Sequence, residues 1–224
     1  MRLPQVTVPS LAIAGSARRF PVRRIYCVGR NYAEHAREMG GDPIREPPFF
    51  FSKPADAIVA TGSRLGFPCA TSDLHYEVEM VVALGLGGAS ISPAVAGLCV
   101  FGFAVGIDLT RRDLQAQAKK TARPWDLAKG FDQSAPVGAL TVGSAPVAAA
   151  LSLRLDGIVR QQGDVADMLW KTPEIIAALS RYVTLQPGDL LFTGTPAGVG
   201  PIARGQTVRA ELQGAEPLEL EYLA

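Results

Sequence analysis

The sequence predicts a mainly β fold with a few helices, a member of the α+β class. Short strand-type apolar stretches outnumber helical patterns, and the 23 glycines and 17 prolines are spread along the chain as turn signals. Strands and helices do not alternate as βαβ units, and no GxGxxG follows a strand, which argues against a dinucleotide-binding fold. The predicted strands are Arg24–Val28, Pro48–Ser52, Leu74–Leu84, Val100–Leu109, Ala150–Leu155, Asp189–Thr193 and Gln206–Leu212.

Three helical patterns interrupt these strands. In NYAEHAREMGG, Asn31 is the expected N-cap and Gly40–Gly41 the stop, so we expect a short helix here. We expect the segment of residues 31–42 to be a mobile lid. TRRDLQAQAKK begins with Thr110 as its expected N-cap. TPEIIAALSRYV begins with Thr172 as N-cap, followed by a proline at the first helical position.

Composition limits the class of protein. The 224 residues, 48% hydrophobic and 19% charged, are enough for one globular domain with a sizeable core. A formal net charge of +1 without a Lys/Arg run predicts no bulk attraction to nucleic acid or to an acidic membrane. No apolar run reaches the roughly 20 residues that span a bilayer. The three cysteines form no CxxC pair, so we expect free thiols and a cytoplasmic protein.

The stretch LHYEVEMVVALG, residues 74–85, predicts a half-buried strand with an unusual polar face. Its even positions are all apolar, so Glu77 and Glu79 point the same way, roughly 7 Å apart. A solvated strand face is the ordinary interpretation. Against it, Val81 and Ala83 continue that face as apolar, and two like charges repel unless a cation lies between them. Carboxylate oxygens select hard ions such as Mg²⁺, Mn²⁺ or Ca²⁺.

Asp108 is the candidate third ligand of such an ion. It ends the apolar strand VFGFAVGID where a helix begins, so a helix-capping role and a ligand role are equally open on this evidence. His75 shares the face of the two glutamates. A lone histidine beside a hard cation is more often a packing residue, so we do not predict it as a ligand.

Basic and amide side chains accompany these acids. Arg112 and Gln115 are three residues apart and share a helix face, which is otherwise read as a solvated surface. Lys129 lies among apolar neighbours, and Lys53 closes an apolar run, where a lysine commonly extends its head group to solvent. Basic groups close to three acids would suit a metal site that accepts an anionic ligand.

Two further features concern catalysis. His35 and Glu38 are three apart on the short helix and can touch, commonly as an idle surface pair. As a functional pair, the carboxylate would orient the imidazole to take a proton from water. GTPAGVG, residues 194–200, lacks the Lys-Ser/Thr of a phosphate-binding loop, and we interpret it as a turn-rich loop and a candidate wall of a site.

Taken together, these segments resemble the fumarylacetoacetate hydrolase family. The similarity covers nearly the whole chain from about Ile25 onward, in the family's order. The segments that carry it are CVGRNYAEHAREMG, PPFFFSKPADAIV, DLHYEVEMVVALG, GFAVGIDLTRRDLQ, PWDLAKGFDQSAPVG and GDLLFTGTPAGVGP.

The resemblance implies a mixed β-sandwich or β-roll that dimerises, and a set of site residues. The implied cofactor is Mg²⁺ or Mn²⁺, with Ca²⁺ as an alternative. Its implied ligands are Glu77, Glu79 and Asp108, with Lys129 close to the metal as a catalytic residue. The implied substrate-binding residues are Lys53, Arg112, Gln115 and Thr195, and the implied catalytic dyad on the lid is His35 and Glu38.

The resemblance also implies a domain plan and a reaction. Residues 1–20 would be an extension that packs on a catalytic domain formed by residues 21–224, without the long N-terminal domain of the two-domain members. This favours the compact acylpyruvate hydrolases. The sequence of the matching segments resembles that of bacterial fumarylpyruvate hydrolases of aromatic-compound catabolism. The expected reaction is hydrolysis of a carbon–carbon bond in a dicarbonyl acid. Oxaloacetate decarboxylation or tautomerisation, and a non-catalytic cation-binding role, remain alternatives.

Overall fold

The described residues form two stacked β-sheets and three smaller sheets, and strands outnumber helices, which confirms the mainly β prediction. The computed structural model describes residues 3–38 and 46–224. Its strands are β1 Ser10–Ile13, β2 Ser16–Pro21, β3 Arg24–Gly29, β4 Phe49–Lys53, β5 Ile58–Val59, β6 Ser63–Leu65, β7 Leu74–Tyr76, β8 Val78–Leu84, β9 Val100–Ile107, β10 Thr110–Arg111, β11 Ala135–Pro136, β12 Thr141–Val142, β13 Ala150–Leu155, β14 Ile158–Asp164, β15 Asp189–Phe192, β16 Gly200–Pro201, β17 Thr207–Leu212 and β18 Leu218–Tyr222.

The larger sheet carries the site. Its six strands run in the order β12-β9-β8-β15-β3-β4, and only the β15–β3 pair within it is parallel. The second sheet has five strands in the order β14-β13-β17-β18-β6. Its inward residues, such as Leu153 and Val208, pack against the larger sheet, whereas its outer face carries exposed charged side chains such as Arg209. The main core lies between these two sheets.

The predicted strand 74–84 is wrong in two respects, because the observed segment is neither continuous nor half-buried. The chain leaves strand geometry at Glu77, since β7 pairs with β10 and β16 in a small sheet while β8 pairs with β9 and β15. Even positions such as Met80 enter the main core. Val81 and Ala83 enter a second apolar cluster on the opposite face. The hairpin β1–β2 contributes to that cluster, and so both faces of β8 are buried.

Short α-helices connect the strands in the part of the chain that the structure describes. They are α1 Ala33–Glu38, α2 Pro93–Ala96, α3 Arg112–Lys120, α4 Asp126–Lys129 and α5 Thr172–Leu179. Within the described residues, no helix is both long and apolar enough to cross a bilayer. The predicted stop Gly40–Gly41 and the end of the predicted lid lie outside the described residues.

The predicted N-caps are not the caps in the structure. The Asn31 side chain instead bonds to distant backbone: its Oδ1 accepts from Trp170 N (2.7 Å) and its Nδ2 donates to Thr193 O (2.7 Å). Thr110 lies in β10, and α3 begins after it with Arg111 at the N-cap position. Thr172 is already the first residue of α5. Long-range partners decide the first of these cases, and sequence spacing does not reveal them.

Candidate active site

Three carboxylates meet at one end of the larger sheet. Glu77 precedes β8, Glu79 is its second residue, and Asp108 follows β9. The antiparallel β8–β9 register and the bond from Asp108 N to Glu77 O (2.8 Å) place these chain segments side by side. One oxygen of each carboxylate lies within 4.8 Å of those of the others, and all three residues are buried. The predicted ligand set is therefore a single cluster.

Two members of the cluster already have cationic partners. Lys129 Nζ lies 2.7 Å from an oxygen of Glu77 and 2.7 Å from one of Asp108. Arg112 Nη2 donates to the other oxygen of Glu77 at 2.5 Å. Burial opposes ionisation of Glu77, but Lys129 and Arg112 outweigh it and hold the pKa of Glu77 well below its ordinary value. Asp108 does not cap α3, because the N-cap position of that helix is Arg111.

Glu79 has no such partner. Among the described residues it forms no ion pair, and its one hydrogen-bond donor is Gly194 N at 2.6 Å. Burial, together with the neighbouring charges of Asp108 and Glu77, raises the pKa of Glu79 well above its ordinary value. A buried carboxylate with this environment is stable only when protonated or next to a cation. A hard divalent cation among the three carboxylates fits this donor set.

The charges around the cluster nearly cancel. Among the described residues, three cationic side chains contact the three carboxylates. Besides Lys129 and Arg112, the Lys53 Nζ lies 2.7 Å from an Asp108 oxygen. A divalent ion would therefore leave the centre with about two positive charges. Such a centre favours a dianionic ligand.

Lys53 does not line the cavity, contrary to the expectation that it binds substrate. Its side chain is fully buried behind Asp108. Its ammonium group donates to Leu109 O (3.1 Å) and to Lys129 O. All of its donors are thus engaged by the protein, so Lys53 holds Asp108 and the Lys129 backbone in place.

The remaining predicted residues converge on one cavity beside the carboxylates. Arg112 Nη1 donates to Gln115 Oε1 at 2.6 Å, which leaves the Gln115 amide nitrogen free of any hydrogen bond to a described residue. Thr195 Oγ1 donates to Val78 O at 2.8 Å, which ties the GTPAGVG loop to β8. The predicted residues that line the cavity are His35, Glu77, Glu79, Asp108, Arg112, Gln115, Lys129 and Thr195.

The predicted His–Glu pair is present on α1. His35 Nδ1 lies 3.3 Å from Glu38 Oε2, and both Glu38 oxygens lie 3.2 Å from Gly198 N. Burial lowers the pKa of His35 below 6.5, although the charges of Glu77 and Glu38 oppose this effect. The imidazole is therefore neutral at pH 7, and it lines the same cavity as the carboxylates.

His75 lies behind Arg112 and does not belong to the carboxylate cluster. Arg112 Nε donates to His75 Nδ1 at 3.3 Å, and His75 Nε2 lies 2.9 Å from Asp73 Oδ1. This agrees with its interpretation as a supporting residue.

Sequence reasoning missed Gln161 and Gly194. Gln161 is buried, accepts from Val78 N (2.9 Å) and donates to Thr195 Oγ1 (2.9 Å), so it joins β14 to the loop. The polar stretch RQQGD around it gave no sign of burial. Gly194 has φ +97°, and a Cβ there would lie 2.6 Å from Asn31 Cβ. Only a glycine permits this loop to bring its N–H to Glu79.

The outer wall of the cavity was also missed. It consists of cationic and aromatic side chains to which the sequence analysis assigns no role in a site. These are Arg30, Phe49, Phe51, Lys119 and Trp125.

Comparison with known proteins shows what this chain is similar to. Residues 24–221 match the family described as fumarylacetoacetate (FAA) hydrolase C-terminal. The crystal structure of fumarylpyruvate hydrolase from Pseudomonas aeruginosa, in complex with Mn²⁺ and pyruvate, is 49% identical, with a TM-score of 0.96 over 100% of this chain and 99% of that one.

Two other relatives carry different names. Oxaloacetate tautomerase FAHD1, mitochondrial, from Mus musculus is 42% identical over 86% of this chain and 88% of that protein. The structure of 5-carboxymethyl-2-hydroxymuconate delta-isomerase from Mycobacterium smegmatis is 32% identical, with a TM-score of 0.82 over 96% of this chain and 82% of that one. The match over nearly all of the chain and the whole-chain similarity in fold lead to one conclusion: the chain belongs to the fumarylacetoacetate hydrolase family.

Proposed function

We propose that the protein is a divalent-metal-dependent acylpyruvate hydrolase. Its best substrate is fumarylpyruvate, cleaved to fumarate and pyruvate in aromatic-compound catabolism. The observation that carries the proposal is a neutral His35, held by Glu38, in the same cavity as three buried carboxylates that fit a divalent cation. The similarity to a fumarylpyruvate hydrolase that binds Mn²⁺ and pyruvate supports it.

The cation would bind Glu77, Glu79 and Asp108. Mg²⁺ or Mn²⁺ suits these oxygen donors, with Ca²⁺ as an alternative. When bound, it supplies the positive charge that stabilises the departing pyruvate enolate.

His35 and Glu38 activate water. With the His35 Nδ1–H donating to Glu38, Nε2 is left as the proton acceptor. Water gives a proton to Nε2 while its oxygen attacks the acyl carbonyl carbon. The bond between the acyl carbon and the pyruvate methylene carbon then breaks, and its electron pair goes to the methylene carbon. The proton held by His35 passes to the methylene carbon, which becomes the methyl group of pyruvate.

Gln115 is the best-placed donor for the developing oxyanion. Its Oε1 is held by Arg112 at 2.6 Å, so its amide N–H groups are presented to the cavity. Lys129 is a poorer donor, because its three N–H groups already face Glu77, Asp108 and Thr110 at 2.6–2.7 Å. Lys129 therefore acts chiefly by fixing two of the metal-binding carboxylates.

Oxaloacetate tautomerisation is the second candidate function. The 42% identical mouse protein of that name supports it, and a tautomerase would use the same metal and the same enolate. Oxaloacetate decarboxylation also needs the enolate but no activated water. A non-catalytic cation-binding role would leave the His35–Glu38 pair without a task.

A substrate panel separates these functions. Purified protein with Mn²⁺ or Mg²⁺ is incubated with fumarylpyruvate, acetylpyruvate and oxaloacetate, and released pyruvate and carbon dioxide are measured beside the keto–enol absorbance. We expect pyruvate and the matching acid from the acylpyruvates, and no turnover with EDTA. Interconversion of oxaloacetate tautomers without acylpyruvate cleavage would instead establish the tautomerase.

We also propose that the protein is a homodimer that acts on a small dicarbonyl acid. The family resemblance supports the dimer, as do exposed apolar side chains such as Leu98 and Val147, which are 74% and 84% exposed. Light scattering after gel filtration is the test, and a mass near 23.7 kDa would contradict it.

A further inference from the structure

We propose that Arg30 and Lys119 form a second carboxylate-binding subsite in the cavity, one that selects acylpyruvates whose acyl group ends in a carboxylate. The inference rests on the proposed function and assigns its substrate class to particular residues. Both residues are cations that are not paired with the three carboxylates.

Four cations line the cavity, and two of them are committed. Arg112 and Lys129 are paired with the buried carboxylates. Arg30 and Lys119 line the same cavity, yet within residues 3–38 and 46–224 neither forms an ion pair or a side-chain hydrogen bond. No described side chain therefore competes with an anion for these two cations.

The two free cations lie in one another's electrostatic field. Lys119 keeps an exposed side chain, but its partial burial lowers the pKa of Lys119, and the charges of Arg112 and Arg30 lower it further while the charge of Glu77 opposes them. Two like charges that line one cavity repel each other until an anion binds. A carboxylate bound between them would remove this repulsion.

Arg30 is held in position by its neighbours. Its φ of +56° lies in the left-handed region, which a non-glycine residue adopts at a cost in free energy. Gly29 before it lies directly under the Phe49 ring, where a Cβ would be 1.9 Å from Cζ. Asn31 after it is fixed by bonds to Trp170 and Thr193. The backbone on both sides therefore fixes the direction in which the Arg30 side chain leaves the chain.

An aromatic strip connects the metal centre to this subsite. Phe51 packs under Lys129 Nζ at 5.1 Å from its ring centroid, and Trp125 packs under Lys119 Nζ at 5.3 Å. The Phe51 and Trp125 rings are 5.9 Å apart, and Phe49 meets Trp125 edge-on at 5.4 Å. A flat, unsaturated chain would pack on this strip.

The parts define a ligand class. The carboxylates and their cation suit a pyruvoyl group at one end, and the aromatic strip suits a short planar chain. Arg30 and Lys119 suit a carboxylate at the other end. A trans-enoyl chain with a terminal carboxylate fits all three, whereas an uncharged acyl group leaves the two cations unpaired.

The test compares two substrates in matched variants. The kcat/KM of the Mn²⁺-loaded protein is measured for fumarylpyruvate, which has the distal carboxylate, and for acetylpyruvate, which lacks it. In Arg30→Met and in Lys119→Met, the ratio of the two values should fall about 10- to 100-fold, mostly through KM, as expected for a lost charged hydrogen bond. Lys120→Met, at the next position of α3 and outside the cavity lining, is the control and should keep the wild-type ratio.

A binding measurement keeps the two proposals separate. Fumarate binding to the Mn²⁺-loaded protein is measured by calorimetry in the wild type and in Lys119→Met, with folding checked by circular dichroism and Arg30→Lys as a milder variant. We expect at least about 10-fold weaker binding in Lys119→Met. Unchanged substrate ratios, or equal fumarate binding in both proteins, overturn the subsite. Absence of hydrolysis of either substrate by the wild type refutes the hydrolase alone, and fumarate binding then decides the subsite.

Discussion

Replacing Glu79 with glutamine should leave the metal-free protein as stable as the wild type or more so, while removing metal binding. Glu79 is buried, has one backbone donor and no cationic partner among the described residues. Its pKa is raised in the folded state by burial and by Asp108 and Glu77, so the charge that it carries above its unfolded pKa opposes folding as the pH rises. Glutamine keeps the acceptor for Gly194 N and removes this unfavourable charge.

The size of the expected change in Tm follows from the linkage between metal binding and folding. A ligand present at 100 times its Kd stabilises the folded state by about 2.7 kcal/mol, which raises the Tm of a domain of this size by about 5–10 °C. Loss of a charged ligand should weaken Mn²⁺ binding about 100-fold or more, so Glu79→Gln should show almost none of this rise.

Thermal unfolding at pH 7, with and without Mn²⁺, is the assay. Glu216→Gln, at an exposed position outside the site, is the matched control and should show the full metal-induced rise. An equal rise in Glu79→Gln would refute the metal assignment. A large fall in the Tm of the metal-free variant would refute the electrostatic argument about Glu79.

Three other predictions follow from the geometry. His35 must be neutral to accept a proton and burial lowers its pKa, so kcat/KM should fall only below pH 6.5. In Glu38→Gln the acidic limb of the pH profile should lie lower still, because the Glu38 charge raises the pKa of His35. An acidic limb above pH 6.5 in the wild type would contradict this. Lys53→Met leaves Asp108 short of a buried partner and should cost about 3 kcal/mol or more in urea unfolding, whereas a loss under 1 kcal/mol would mean that Lys53 is not structural. Gly194→Ala combines a left-handed backbone with a 2.6 Å contact and should lower the Tm and the affinity for Mn²⁺ together, a link that a normal affinity would disprove.

The pattern of apolar residues and turn residues predicts many of the strands of the two main sheets. The strand Ala150–Leu155 is predicted at its observed bounds, and β3, β4 and β17 are predicted within one residue at each end. Apolar residues of all four strands enter the core, from one face in β13 and β17 and from both faces in β3 and β4. The strand 74–84 shows the limit of that argument. Its alternation is correct, but the break at Glu77 and the burial of the second face depend on β10, β16 and the β1–β2 hairpin, which are separate in sequence.

The site was predictable where chemistry is local and was not where it depends on distant partners. Glu77, Glu79 and Asp108 were found because acids on apolar strands are unusual, and the structure brings them together. The resemblance implies that Lys53 binds substrate, and the ordinary alternative is a lysine that reaches solvent. The structure shows neither, because the Lys129 backbone and Asp108 enclose its ammonium group.

Arg30, Lys119 and Gln161 were missed for a different reason. Their residue types are ordinary on a surface, and only the fold shows that two of them face the cavity and that the third is buried. Their sequence neighbours carry no pattern that separates these positions from solvated ones.

The two rates of His35→Ala, measured in one protein, test the central claim most directly. General-base assistance is worth about 10²- to 10⁴-fold, and decarboxylation of oxaloacetate needs no activated water. We therefore predict that Mn²⁺-loaded His35→Ala loses fumarylpyruvate hydrolysis by about that factor and keeps most of any oxaloacetate decarboxylation. If fumarylpyruvate hydrolysis survives intact, the His35–Glu38 pair is not the base and the hydrolytic mechanism is wrong.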